Sequence, residues 1–133
     1  MTHPDRARQL ISSGGPFEAT AGYSRAVRVD DTVYVAGTTA YRDGEIVALG
    51  DAAAQTRYVL TVIERALHEA GATMADVVRY RVYVTDIATW REVGAEMGRV
   101  FGDIRPAGTL LAVSALVDPA LMVEIEVDAV IGG

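Results

Sequence analysis

From Val123 to Ala129 apolar and acidic residues alternate one for one, and Ile131 keeps the apolar phase beyond Val130. In an extended chain Val123, Ile125, Val127, Ala129 and Ile131 point one way, and Glu124, Glu126 and Asp128 the other. The run from Arg105 to Leu116 is a second extended segment, joined to the first by a short connection holding Asp118-Pro119. Upstream, Ser24–Val29 and Thr32–Gly37 form a hairpin about Asp30-Asp31. Tyr41–Gly44 is a turn, followed by a short extended piece over Glu45–Val47. Val77–Thr85 is a further strand, with Val78, Tyr80, Val82 and Val84 on one face and Arg79, Arg81, Tyr83 and Thr85 on the other. The period changes to the helical one after Asp51, where Leu60, Ile63, Leu67 and Ala70 recur before Gly71. A second helix is expected from Thr89, where Thr89-Trp-Arg-Glu92 has the form of a capping box. Trp90, Val93, Met97, Val100 and Phe101 form its expected buried stripe, Gly102 its end, and Gly94 with Gly98 a place for close packing.

The element order is β-β-(β)-α-β-α-β-β, which predicts an α+β fold: a mixed sheet with two helices on one face. The reading is one domain over residues 1–133, residues 1–11 being a loose lead-in that contains His3, and Ser12–Pro16 a loop. The sheet face turned from the helices is mixed. Arg79 and Arg81 complement Glu124, Glu126 and Asp128, yet Tyr83, Met122 and Val130 share that face. A face of this kind is expected to be covered by other copies of the chain.

Composition removes several chemistries. There is no cysteine, hence no disulfide, thiolate site or Cys nucleophile. All 12 basic residues are arginine, so a lysine Schiff base and lysine-anchored pyridoxal phosphate are excluded. The two histidines, His3 and His68, have no metal-site spacing, and neither a phosphate loop nor a Gly-x-Ser-x-Gly elbow occurs. No metal and no cofactor are expected. The formal charge of −6 argues against nucleic acid. No membrane span or leader pattern is seen, and a cytoplasmic protein is expected.

Several segments resemble the RidA/YjgF family, formerly described as endoribonuclease L-PSP. They are Gly22-Tyr23-Ser24-Arg25-Ala26-Val27, Val33-Tyr-Val-Ala-Gly37, Ala70-Gly71-Ala72, Asp76-Val77-Val78, Val84-Thr85-Asp86, Pro106-Ala107-Gly108-Thr109 and Val123-Glu124-Ile125-Glu126. The resemblance covers about Ser12 to Val130. It implies a chorismate-mutase-like fold and a homotrimer with small-molecule clefts between subunits. Active members hydrolyse enamines and imines such as 2-aminoacrylate there without a cofactor.

Carried over residue by residue, the family tyrosine matches Tyr23 and the first glutamate of its last motif matches Glu124, the candidate catalytic carboxylate. The arginine that clamps the substrate carboxylate falls on Gly108, a cysteine on Leu110, an asparagine near Gly94 and a serine on Ala36. Glycine cannot replace a guanidinium's two charge-assisted hydrogen bonds. Arg105, three residues upstream, and Arg25 are the substitutes to weigh. Gly37, Thr38 and Thr109 complete the substrate-binding candidates, with Gly37 read first as a turn residue and Thr109 as a strand former. Glu126 and Asp128 are read as structural. The resemblance implies an imine or enamine deaminase with an altered substrate; the alternative is a non-catalytic trimer binding a metabolite or partner in the same clefts. A ribonuclease is disfavoured by the acidic charge and the lack of lysine and of a histidine pair.

Overall fold

The alternating segment becomes β8 (Val123–Val130), which lies inside a six-stranded sheet. The computed structural model describes residues 7–133, so His3 lies outside the described residues. The other strands are β1 (Arg8–Ile11), β2 (Ala26–Val29), β3 (Thr32–Thr39), β4 (Tyr41–Arg42), β5 (Glu45–Ile46), β6 (Val77–Val84) and β7 (Ala107–Ala112). The helices are α1 (Pro16–Ala21), α2 (Ala52–Glu69) and α3 (Trp90–Phe101). The large sheet runs β1-β2-β3-β8-β6-β7, while β4 and β5 make a separate small hairpin. Among the described residues only β6 and β7 pair in parallel, as their connection through α3 allows.

Val123, Ile125, Val127 and Ala129 of β8 are wholly buried. They lie beneath α2, whose Val59, Ile63 and Leu67 are buried with them. Burial of each large aliphatic side chain stabilises the fold by roughly 1.5–3 kcal/mol, which fixes the register of β8 and leaves Glu124, Glu126 and Asp128 on the opposite face. There Arg81 lies 3.6 Å from Asp128 and 4.0 Å from Glu126, and the Tyr83 hydroxyl donates to Glu126. Asp51 caps α2 by accepting from the Ala54 N–H at 3.0 Å.

Four local expectations are corrected. The lead-in is structured from Arg8, because Arg8–Ile11 pairs with β2 and Ile11 enters the core. A short helix, α1, begins at Pro16, the last residue of the expected Ser12–Pro16 loop. In β6 a bulge between Val77 and Arg79 inserts one residue, so Val77 is buried and Val78 is turned outward. At α3, Asp86 first caps a single 3-10 turn, Ile87–Thr89, and the Thr89 hydroxyl donates back to the Asp86 carbonyl at 2.7 Å. Thr89 is thus already in helical conformation and makes no capping box, and the shifted phase leaves Trp90 47% exposed while Val93, Met97 and Phe101 stay buried. Gly94 and Gly98 have nothing packed against them within the chain.

Candidate active site

The site starts with a break in strand pairing. Val35 pairs with Val127 but Thr38 pairs with Ile125, so β3 carries one more residue than β8 between these points. The bulge turns Thr38 into the core, where its hydroxyl donates to the Ala36 carbonyl at 2.8 Å. It also places Gly37 against Glu124. A Cβ at Gly37 would lie 2.8 Å from Glu124 Oε2 and 2.9 Å from Cδ. Gly37 therefore serves close approach rather than the turn expected from sequence. Arg25, just before β2, donates from Nη2 to the Gly37 carbonyl at 2.5 Å. Its guanidinium carbon lies 5.8 Å from the Tyr23 ring centroid.

These residues line a cleft of about 680 Å³. Tyr23, Arg25, Gly37, Thr38 and Glu124 line it together, and Phe17, Tyr41, Tyr58 and Val117 add apolar surface. Burial raises the pKa of Glu124, the neighbouring Glu126 raises it further, and Arg25 opposes both. Burial also pushes Arg25 below the usual arginine range, against the pull of Tyr23, Glu18 and Glu124.

Two residues not singled out in the sequence hold this arrangement. Buried Glu18 accepts from the Ser12 hydroxyl at 2.9 Å, from the Ser13 hydroxyl, and from the Ser13 and Gly15 N–H groups at 3.3 Å. Burial alone would raise its pKa, but these donors together hold it below the usual carboxylate range. The Glu18 carbonyl accepts from Gly22 and Tyr23, so one residue fixes both the loop and the tyrosine of the cleft. Glycine at the cap position, Gly15, conceals the capping pattern in the sequence. Gln55 on α2 donates to the Ala120 carbonyl at 3.0 Å and accepts from the Met122 N–H at 2.8 Å. It fixes the chain two residues before Glu124. Its only signal was a polar residue on the apolar side of a helix.

The remaining candidates lie elsewhere. Gly108 and Thr109 belong to the edge strand β7, and Arg105 is exposed in the turn before it, with φ of 59°. None of the three lines this cleft within the chain. Tyr80 fills the space a side chain at Gly108 would need: a Cβ there would lie 2.5 Å from Tyr80 Cζ, and the ring stacks on Phe101 at 5.4 Å. Among the described residues no group of His, Asp and Glu could hold a metal ion, and no helix is long and apolar enough to cross a membrane.

Residues 15–131 match the family described as Endoribonuclease L-PSP. The chain belongs to that family. The crystal structure of Rv2704 from Mycobacterium tuberculosis, a member of the YjgF/YER057c/UK114 family, superposes with a TM-score of 0.86 at 54% identity, covering 94% of this chain and 100% of that one. An Acinetobacter baylyi relative, 3-aminoacrylate deaminase RutC, is 33% identical over 119 residues, or 89% of this chain and 94% of its own. A Streptomyces coelicolor protein is 34% identical over 123 residues, 92% of each chain. As a YjgF/L-PSP member, the chain carries the expected α+β fold, and Tyr23 and Glu124, the two residues singled out by the sequence resemblance, line one cleft.

Proposed function

We propose that this protein hydrolyses reactive enamines and imines to carbonyl compounds and ammonia, in clefts completed between the subunits of a homotrimer. One observation carries the reading: Glu124 is half-buried in the cleft, pressed against Gly37, with its pKa raised by burial. A carboxyl group whose pKa is raised in this way can give up a proton as an acid and take one as a base. As the acid it protonates the enamine carbon, giving the iminium ion, the protonated imine. As the carboxylate it accepts a proton from water while the water oxygen bonds to the C=N carbon. That proton passes to nitrogen, the hydroxyl of the resulting carbinolamine gives its own proton back to the carboxylate as the C–N bond breaks, ammonia leaves and a C=O bond remains. Imine and water give carbonyl compound and ammonia, so no oxidant, reductant or cofactor is required.

The absence of lysine and cysteine leaves no amine or thiol nucleophile for a covalent route. Kinship at 33% identity with a protein named 3-aminoacrylate deaminase supports the same chemistry. The substrate is held differently from that of members with a strand arginine, since Gly108 offers no side chain and Tyr80 occupies the space beside it. Tyr23 and Thr38 shape the wall against which the substrate lies.

Imines generated in situ by amino-acid and amine oxidases, with semicarbazide trapping the unhydrolysed fraction, test the reading. Wild-type protein is expected to accelerate hydrolysis of at least one of them, and Glu124→Gln to lower turnover by about 100-fold, the usual scale of general acid–base catalysis. A folded Gln variant with full turnover would remove Glu124 from the chemistry. No turnover of any imine would leave the same cleft as a metabolite-binding site.

A further inference from the structure

The guanidinium of Arg25 is half-buried in the cleft wall, where it feels Glu18 and Glu124 but is in ion-pair contact with neither. Among the described residues Arg25 makes no ion pair, although Arg28, Arg57, Arg81 and Arg99 all do. Among the described residues its one acceptor is the Gly37 carbonyl, and its Nε is buried with no hydrogen-bond partner there. A desolvated charge left in this condition is costly, and an unmet buried donor adds to the cost. A charged group left short of partners in a cleft is a place where a ligand can supply one. Arg42 and Arg65 bring two further cations to the same cleft. Of the three carboxylates facing them, Glu18 is already occupied by Ser12 and Ser13, which leaves Asp43 and Glu124.

We infer that Arg25 forms an anion subsite in this cleft, binding the acidic group of a small carboxylate ligand beside Glu124. The inference rests on the hydrolase reading only for the identity of the ligand as a substrate or product; the subsite itself stands on the geometry of Arg25. The guanidinium is pre-ordered by Gly37 and has planar donors to spare, which suits a carboxylate. A bound anion would also oppose ionisation of Glu124, favouring the acid form that protonates an enamine carbon. The cation comes from the start of β2 rather than from β7, so the acidic group enters this cleft from the Tyr23 side.

Pyruvate, the keto acid that an imino acid would yield, is the probe, with acetone as its neutral analogue. Titrations followed by calorimetry and by the arginine Nε–H resonances are expected to show pyruvate shifting the Arg25 signal and acetone leaving it unmoved. Arg25→Gln is expected to weaken pyruvate at least tenfold, Arg25→Lys to fall between, and the charge-matched remote variant Arg99→Gln to change nothing. Because the Nε–H shift is read on wild-type protein, it tests the subsite even if Arg25→Gln misfolds. An unmoved Arg25 signal, or equal pyruvate affinity in a folded Arg25→Gln protein, overturns the inference. Loss of assembly with unchanged pyruvate binding overturns it too and assigns Arg25 to a subunit contact. Pyruvate bound through Arg25 by a protein that hydrolyses no imine would sink the hydrolase reading while leaving the subsite standing.

Discussion

Glu124 and Gly37 are one feature seen from two strands. The glutamate side chain occupies the space a Cβ would need, so Gly37→Ala must push the carboxylate aside. A displacement near 1 Å at a reacting group costs up to about 100-fold in rate, and Gly37→Ala is expected to lose at least roughly tenfold in imine turnover while remaining folded. Unchanged turnover would show that the carboxylate position is not critical. The raised pKa of Glu124 also has a stability consequence. Its folded pKa lies above the unfolded value, so the folded state holds the extra proton in the window between the two. Stability from this group is present in full below the unfolded pKa and is lost as pH rises through the folded pKa. Glu124→Gln should therefore melt at a higher temperature than wild type at pH 7, with the gap closing towards pH 4. A gap that is constant with pH would mean that ionisation of Glu124 is not the source. Little of this was legible in the sequence. The strand alternation placed Glu124 on the open face, but its contact with Gly37 depends on a bulge that has no sequence mark beyond the glycine itself.

The sheet edge formed by β7 shows how one element constrains another. Gly108 faces Tyr80 across the parallel pair, and Tyr80 is held by its stack on Phe101 of α3. Gly108→Ala would overpack this contact and is expected to destabilise the fold by about 1–3 kcal/mol. In a Tyr80→Leu background the same substitution should cost clearly less, because the ring atoms it strikes are gone; denaturant unfolding of the four proteins in a cycle measures the coupling. Equal costs in both backgrounds would separate Gly108 from Tyr80. The same contact means that restoring an arginine at position 108 requires Tyr80 to move. Sequence reading placed α2, α3 and the long strands to within a few residues, since their periods are clear. It missed α1, β1 and the register break in β6. These short or irregular pieces are held by Glu18, by pairing with β2 and by a bulge, rather than by periodicity.

At the scale of the whole molecule, the uncovered sheet face combines Tyr34 at 52% exposure, Tyr83, Met122 and Leu111 with the Arg81, Glu126 and Asp128 network. Such a surface is expected to be buried against other copies. Light scattering should give roughly three times the 14.2 kDa chain mass, a closed cyclic assembly. A monomer at micromolar concentration would remove the shared clefts from the proposal. Gly108, Thr109 and Arg105 lie away from the cleft within one chain, so any part they take in a site requires the edge of one subunit to meet another.

Period and composition alone determined the α+β architecture, the buried face of β8, the two long helices, and the absence of lysine and cysteine chemistry. These follow from which residues repeat and which are missing, and no folding is needed to read them. Only the tertiary structure decided that Gly37 makes room for Glu124, that Tyr80 fills the space a side chain at Gly108 would need, that Gln55 fixes the start of β8, and that Arg25 rather than Arg105 stands in the cleft. Each of these joins residues far apart in the chain, through a bulge, a parallel strand pair or a helix laid on a sheet. Contacts of that kind are set by three-dimensional register, which the order of residues does not display.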